Sequence, residues 1–283
     1  MEPKTFSWSK INSYAACPML YKHRYVERLQ PIRKAPALAL GSCVASGLNA
    51  FRQIGTKDAT FSAFTETWIK EGKILALKKA DDPRRSVERG LEILDAYIKE
   101  YPKEPDNIVQ PEVSFKIEVA SNIIFNGRID AVIRLNDGSL AIIEDKTTSR
   151  LGPTFFTKLK GSSQILWYLW VANKMGLFDV EGKKQMPKCW LNAIYIHDKT
   201  ERFERDITIK STRTLDLAQK NMLVWIEQIF WAEKTDTFPY NDVDNDTCSK
   251  YGGCDYLPLK YASDSLKERI IKNEFVVKEE PKK

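Results

Sequence analysis

GRID at 127–130 and IIEDKTT at 142–148 decide the reading of this chain. Leu140, Ala141, Ile142 and Ile143 form an apolar run that ends on Glu144. The run before it breaks off in the same way at Asp130. Asn136-Asp137-Gly138 makes the turn between them, so the two runs read as neighbouring strands. Side chains alternate along a strand, which puts Glu144 and Lys146 on one face. Charges at the ends of buried strands cost several kcal/mol unless they are paired or bind a metal. Two readings follow. One is an ion pair of Lys146 with Glu144 or Asp130 at a sheet edge. The other is a pair of carboxylates holding a hard divalent cation beside an amine, which is what metal-dependent cleavage of a phosphodiester needs. The Glu-x-Lys spacing alone carries nothing, because it recurs at Glu2/Lys4, Glu71/Lys73, Glu181/Lys183 and Glu280/Lys282 in charged segments. The buried context of Glu144 is what differs.

Residues 7–28 read as a helix or helix pair, with Ser9 placed to cap the first turn and Pro18 marking a break and restart. Residues 29–36 contain Pro31 and Pro36 and read as a loop. Helices are predicted at 38–53, 60–79 and 85–101, the last ended by Pro102 and Pro105. The texture then changes. Residues 110–119 alternate, with Val113, Phe115 and Ile117 on one face, and strands follow at 122–135 and 139–146. A helix at 163–175, strands at 188–197 and 203–209, and an amphipathic helix at 213–232 come next. The last fifty residues read as a loop with two cysteines, a short helix and a charged tail. This order predicts an α/β (α+β) fold, with a mixed central sheet flanked by helices. We expect a single domain over 1–283: a helical region at 1–105, a core at 106–210, and a C-terminal helix and tail at 211–283.

Composition sets bounds. With 43% hydrophobic residues the chain can bury a sizeable core. It has no run of 18 apolar residues and no signal-peptide pattern, so a soluble, cytoplasmic protein is expected, with no membrane partner. The net charge of +6 favours a polyanionic partner only weakly. Five cysteines do not make a disulfide scaffold, and two histidines leave little for a His-rich zinc site. No phosphate-binding G-x-x-x-x-G-K loop is present, so any helicase or ATPase activity would come from a partner.

The region resembles the PD-(D/E)XK nuclease superfamily, in its RecB-like exonuclease branch of stand-alone phage and bacterial type. The branch's G-x-x-D is Gly127 to Asp130, and its (D/E)-x-K-T is Glu144-Asp145-Lys146-Thr147. Its Q-x-x-x-Y is Gln164 and Tyr168, and Glu112 fits the acidic residue that often opens the block. SWSKINSYAACPMLYKHRYV and ALALGS resemble the branch's N-terminal segments. Each motif is weak alone, but their order over residues 6–260 is fairly specific. The resemblance implies a restriction-endonuclease-like core with a tail folded back on the N-terminal region. It implies that Asp130, Glu144 and the backbone carbonyl of Asp145 bind Mg²⁺ or Mn²⁺, with Glu112 as a further ligand. Lys146 would orient the attacking water and stabilise the transition state; as a true base it would need a strongly lowered pKa. Gln164 and Tyr168, one helical turn apart, would position the strand or the lysine. The implied activity is metal-dependent cleavage of DNA, as an exonuclease on ends or single strands. The setting would be recombination, repair or phage DNA metabolism in a bacterial or phage-infected cell, with a repair or recombination protein as candidate partner.

Two departures qualify this expectation. Ala45 stands where the branch usually has a metal-binding histidine. The alternative is therefore a nuclease-fold protein that binds DNA or a partner and no longer cuts. Several members of the branch also pin their tail with a [4Fe–4S] cluster on four cysteines. Cys17, Cys248 and Cys254 match three of those positions, but the fourth falls near Lys260, and lysine is no ligand. The three cysteines are expected as a remnant that still brings the tail to the N-terminal helix, with a three-cysteine cluster or zinc as alternatives. Cys189 is expected in the core. Candidate nucleic-acid contacts are Lys22 and Arg24, among Tyr21, His23 and Tyr25, and Arg150, Lys158 and Lys160, around Phe155 and Phe156. A solvated face with aromatic core behind it would give the same pattern.

Overall fold

The structure is a computed structural model that describes residues 3–32, 35–72, 83–197, 200–241, 248 and 253–279. In chain order its elements begin with β1 (Lys4–Ser7), α1 (Trp8–Ala16), α2 (Pro18–Tyr21) and β2 (Leu29–Pro31). Then come α3 (Pro36–Ile54), α4 (Lys57–Gly72), α5 (Val87–Glu100) and α6 (Glu104–Asn107). The strands β3 (Ile108–Ala120), β4 (Ile123–Arg134) and β5 (Leu140–Thr148) follow, then α7 (Phe155–Lys160) and α8 (Ser163–Lys174). After β6 (Asp179–Val180) and β7 (Lys183–Lys184) come β8 (Lys188–Tyr195), β9 (Arg202–Ile209) and α9 (Thr212–Thr235). The chain ends with α10 (Leu257–Tyr261), α11 (Asp264–Glu274) and β10 (Phe275–Val277).

Most of these elements lie where the residue spacing predicts them. Pro18 opens α2 after a break at Cys17, since proline lacks the N–H that a continuous helix needs. Ser86 caps α5, its hydroxyl accepting the N–H of Arg89 at 3.1 Å. The predicted helix at 60–79 is α4 as far as Gly72; residues 73–79 lie outside the described residues. So do 242–247, 249–252 and 280–283, and with them Glu2, Lys73, Glu280 and Lys282 of the repeated Glu-x-Lys spacing. Five strands were not expected: β1, ahead of the first helix; the pair β2 and β10, in segments that read as loop and tail; and the two-residue strands β6 and β7, which pair with each other.

The chain divides into two compact units. One takes in Met1–Trp8, Leu40–Lys70 and Asp81–Leu223. Its centre, among the described residues, is a six-stranded mixed sheet in which β1 runs parallel to β4 and β5 parallel to β8, the other pairs being antiparallel. β3 lies along one edge of β4 from end to end. The other edge is shared. β1 pairs with Ile123 to Asn126, and β5 with Ala131 to Arg134. Residues 127–130 fall between these two partners, and GRID occupies that gap. Helix α8 covers part of the sheet, with Trp167 edge-on to Phe125 and Tyr168 edge-on to Phe115. Leu40, Val44, Leu48 and Phe51 of α3 bury with Phe64 of α4, Ile93, Leu94 and Tyr97 of α5, Ile194 of β8 and Ile196 just past it.

The other unit comprises Ser9–Ala39, Glu71–Ala80 and Val224–Lys283. Here the tail packs back on the N-terminal region, as predicted. β10 pairs antiparallel with β2. The Tyr256 hydroxyl donates to the Leu29 carbonyl at 2.7 Å, and the Asn241 amide donates to the Ala16 carbonyl. Leu29, Tyr256, Leu259 and Phe275 bury together. No helix of the described residues is long and apolar enough to cross a membrane.

Candidate active site

Strand register brings the predicted carboxylates into one row. Pro111 pairs with Ala131 and Val113 with Ile129, so Glu112 lies opposite Asp130. Ala131 pairs with Ile143, and the β4–β5 ladder stops there. Asp130 and Glu144 are therefore the first residues past the last pair, where the two strands part. The Asp130 carboxylate fills the gap, its Oδ2 accepting the backbone N–H of Asp145 at 2.8 Å.

Gly127 is required by what lies over it. A Cβ at this position would come within 2.6 Å of the Phe115 ring and 3.1 Å of the Tyr168 hydroxyl. Gly127→Ala is expected to cost about 1–3 kcal/mol through overpacking and to displace Tyr168. Chemical denaturation checks the first effect and fluorescence of the neighbouring Trp167 the second. An unchanged denaturation midpoint would count against this packing.

Glu144 is buried, at 4% exposure, and its carboxylate is ion-paired with Lys146. Lys146 Nζ also donates to Gln164 Oε1 at 2.9 Å, so α8 and β5 hold the amine between them. Burial pushes the Asp130 pKa up to about 8, and the nearby Glu144 and Asp145 carboxylates add to it. Burial likewise raises Glu144, against the pull of Lys146. For Lys146, burial disfavours the charge, but the Glu144 carboxylate outweighs it and the net shift is upward. Lys146 is therefore a firmly held ammonium, and a role as general base, which needs a lowered pKa, does not fit. Burial and the same two carboxylates push Tyr168 up to about 12, so its phenol stays neutral.

The charges at the fork do not balance. Glu144, buried, and Asp130, half-buried, face one ammonium, and the neighbouring carboxylates add to the rise that burial gives Asp130. A hard divalent cation relieves such an excess. Among the described residues no group of three or more His, Cys, Asp or Glu side chains is gathered to hold a metal. A cation here would rest on Asp130 and Glu144, with backbone oxygen and water completing its shell; one or two carboxylates suffice for Mg²⁺ beside phosphate. Glu112 sits in the row but is engaged elsewhere. Its backbone takes φ of 40°, and its carboxylate accepts from Asn49 Nδ2 at 3.0 Å and pairs with Arg128 at 3.1 Å. Ala45 is exposed on α3, one turn from Gly41, which abuts Thr147, and one turn from Asn49.

Behind the fork lies a second cluster that sequence reasoning missed. Period two sends the Asp145 side chain to the face opposite Lys146. There Arg52 of α3 donates two bonds to its carboxylate, at 2.5 and 2.9 Å, and Asn192 of β8 a third at 2.7 Å. Arg52 also donates to Glu104 at 2.8 Å, and Arg205 reaches Glu104 and the Tyr97 hydroxyl. Burial alone would raise Asp145, but the Arg52 guanidinium outweighs it and the net shift is downward.

The other predicted residues are placed as follows. Arg150 and Lys158 are exposed beyond β5, whereas Lys160 is paired with Asp206 at 2.5 Å. Lys22 is paired with Asp236 at 2.8 Å, the Arg24 guanidinium lies over the Tyr256 ring, and Tyr21 is fully buried. Cys17, Cys248, Cys254 and Lys260 line one small cavity with His23, whose Nε2 is buried without a partner. The Lys260 ammonium lies over the Tyr240 and Tyr261 rings. Three thiols and a lysine do not supply the four thiolates of a [4Fe–4S] cluster. Cys189 is buried on β8, as expected.

A sequence model of the PD-(D/E)XK nuclease superfamily matches residues 5–259. The crystal structure of a candidate exonuclease from Eubacterium rectale superimposes with a TM-score of 0.53 at 12% identity, covering 83% of each chain. That of SSO0001 gives 0.36 at 13% identity, over 79% of this chain and 77% of the other. No curated protein sequence matches the chain.

Proposed function

Because the chain belongs to the PD-(D/E)XK nuclease superfamily, we propose that it is a divalent-metal-dependent deoxyribonuclease, acting as an exonuclease on DNA ends or single strands. The observation that carries this reading is the unbalanced fork, where Asp130 and Glu144 face one ammonium. Bound there, Mg²⁺ or Mn²⁺ would polarise the phosphate and activate a water. The chain's own groups do the rest. Gln164 holds the Lys146 ammonium beside Glu144, aimed at charge that develops on the phosphate. Tyr168, under the Gly127 backbone, fixes the α8 turn that carries Gln164. Exposed Arg150 and Lys158 would meet the DNA backbone. Recombination, repair or phage DNA metabolism in the cytoplasm is the setting that suits this chemistry.

The second reading, a DNA- or partner-binding protein that no longer cuts, is favoured by one observation: Ala45 leaves the fork without a third side-chain ligand. End-labelled single- and double-stranded DNA, incubated with Mg²⁺, Mn²⁺ or EDTA, separates the two. We expect metal-dependent shortening from an end, with the label reporting polarity. Retention of intact DNA in every condition would select the second reading.

A further inference from the structure

We propose that Arg52 is a positioning residue for the metal seat: by gripping the Asp145 carboxylate from behind, it fixes the peptide that orients Asp130. The inference rests on the nuclease reading above and adds to it a residue outside every motif.

The observations form a chain of contacts from α3 to the fork. Arg52 is buried, with 1% of its side chain exposed, on the face of α3 that meets the sheet. Its two terminal nitrogens take both oxygens of Asp145, a geometry that fixes direction as well as distance. Asn192 donates to the same carboxylate from β8, a third bond on the Asp145 side chain. The Asp145 backbone N–H then donates to Asp130 Oδ2. Asp130 has lost its ladder partner, since β4 and β5 part at this row, so this bond sets where its carboxylate points. Arg52 therefore acts on Asp130 through one residue. It acts on Glu144 and Lys146 as well, since they flank Asp145 on the same strand.

The charge count separates this cluster from the fork. Arg52 and Arg205 face Asp145 and Glu104, two cations against two anions, with Tyr97 and Asn192 filling the remaining hydrogen bonds. The cluster is neutral and satisfied without any metal. If it served stability alone, an apolar cluster of similar volume would serve as well or better. What an apolar cluster would not do is hold the Asp145 peptide at one angle beside the two carboxylates.

The test uses the full-length chain and two mild substitutions. Arg52→Lys keeps the positive charge and loses the two-pronged grip; Asp145→Asn keeps the shape and loses the charge. Thermal melts report folding, and Mn²⁺ binding, followed by the EPR signal of the free ion, reports the seat without requiring turnover. Both variants are expected to melt cooperatively, with Mn²⁺ affinity weakened roughly 10- to 100-fold for Arg52→Lys, as for other residues that orient metal ligands, and less for Asp145→Asn. Cleavage at saturating Mn²⁺ would fall in the same order. Folded variants whose Mn²⁺ affinity stays within twofold of the parent would overturn the proposal while leaving the nuclease reading intact. A parent protein that binds no Mn²⁺ would overturn both, and the two failures are told apart by the parent titration alone.

Discussion

Lys146→Ala is expected to lower the cleavage rate by roughly 10²- to 10⁴-fold, with the fold and Mn²⁺ binding retained. The ammonium is held by Glu144 and Gln164, and its pKa is raised. It cannot take a proton from water at neutral pH, so its contribution is a fixed positive charge and a hydrogen-bond donor. Both matter most when the phosphate gains charge in the transition state. Removing the amine also removes a competitor for Glu144. Mn²⁺ should therefore bind the variant at least as tightly as the parent. Binding without cutting is the signature of a group that serves the reaction and not the seat. It is read by pairing the labelled-DNA assay with Mn²⁺ titration. Parental cutting by the variant would move the chemistry to another site. Joint loss of cutting and Mn²⁺ binding would make Lys146 a structural partner of Glu144.

The parts of this site that the sequence made readable are those within one or two elements. Asp130, Glu144 and Lys146 lie on adjacent strands joined by a tight turn, where register follows from alternation. Gln164 and Tyr168 lie one turn apart on one helix. The cluster behind them was not readable. Arg52, Tyr97, Glu104, Asp145, Asn192 and Arg205 come from six elements, and no local period relates them. One signal was available: Arg52 follows Leu48 and Phe51 on an otherwise apolar helix face, where an unpaired charge would not bury. The missed strands have a similar cause. β1 and β10 are short, with few alternating positions, and they form because a partner edge is waiting for them. Composition does not say which way a helix faces, so the partners of Lys22 and Tyr21, Asp236 and Glu233, were not readable either.

Asp130→Asn should change the pH dependence of stability as much as it changes metal binding. The ordinary carboxyl value of 3.8 is pushed up to about 8 in the folded chain, first by burial, then by Glu144 and Asp145. Between about pH 4 and 8 the folded state thus holds a proton that the unfolded state has released. Stability falls with rising pH wherever the folded state binds more protons. The contribution of Asp130 is fully present below about pH 4 and is lost as pH rises through about 8. Glu144, also raised, acts in the same direction. Asp145, lowered, contributes stability that is present above about pH 4 and lost below it, so it does not offset them in this window. Metal-free protein should therefore melt at falling temperature from about pH 5 to about pH 8. The amide in place of Asp130 still accepts the Asp145 N–H and carries no charge. The variant should show a flatter profile and, at about pH 8, melt roughly 5 °C or more above the metal-free parent. Mn²⁺ reverses the comparison. It replaces the proton on Asp130, so it should raise the parent's melting temperature most at the alkaline end and leave the variant nearly unmoved. Melting curves at several pH values, with Mn²⁺ and with EDTA, decide the matter. Parallel profiles for parent and variant would mean that the fork carries no excess negative charge for a cation to relieve.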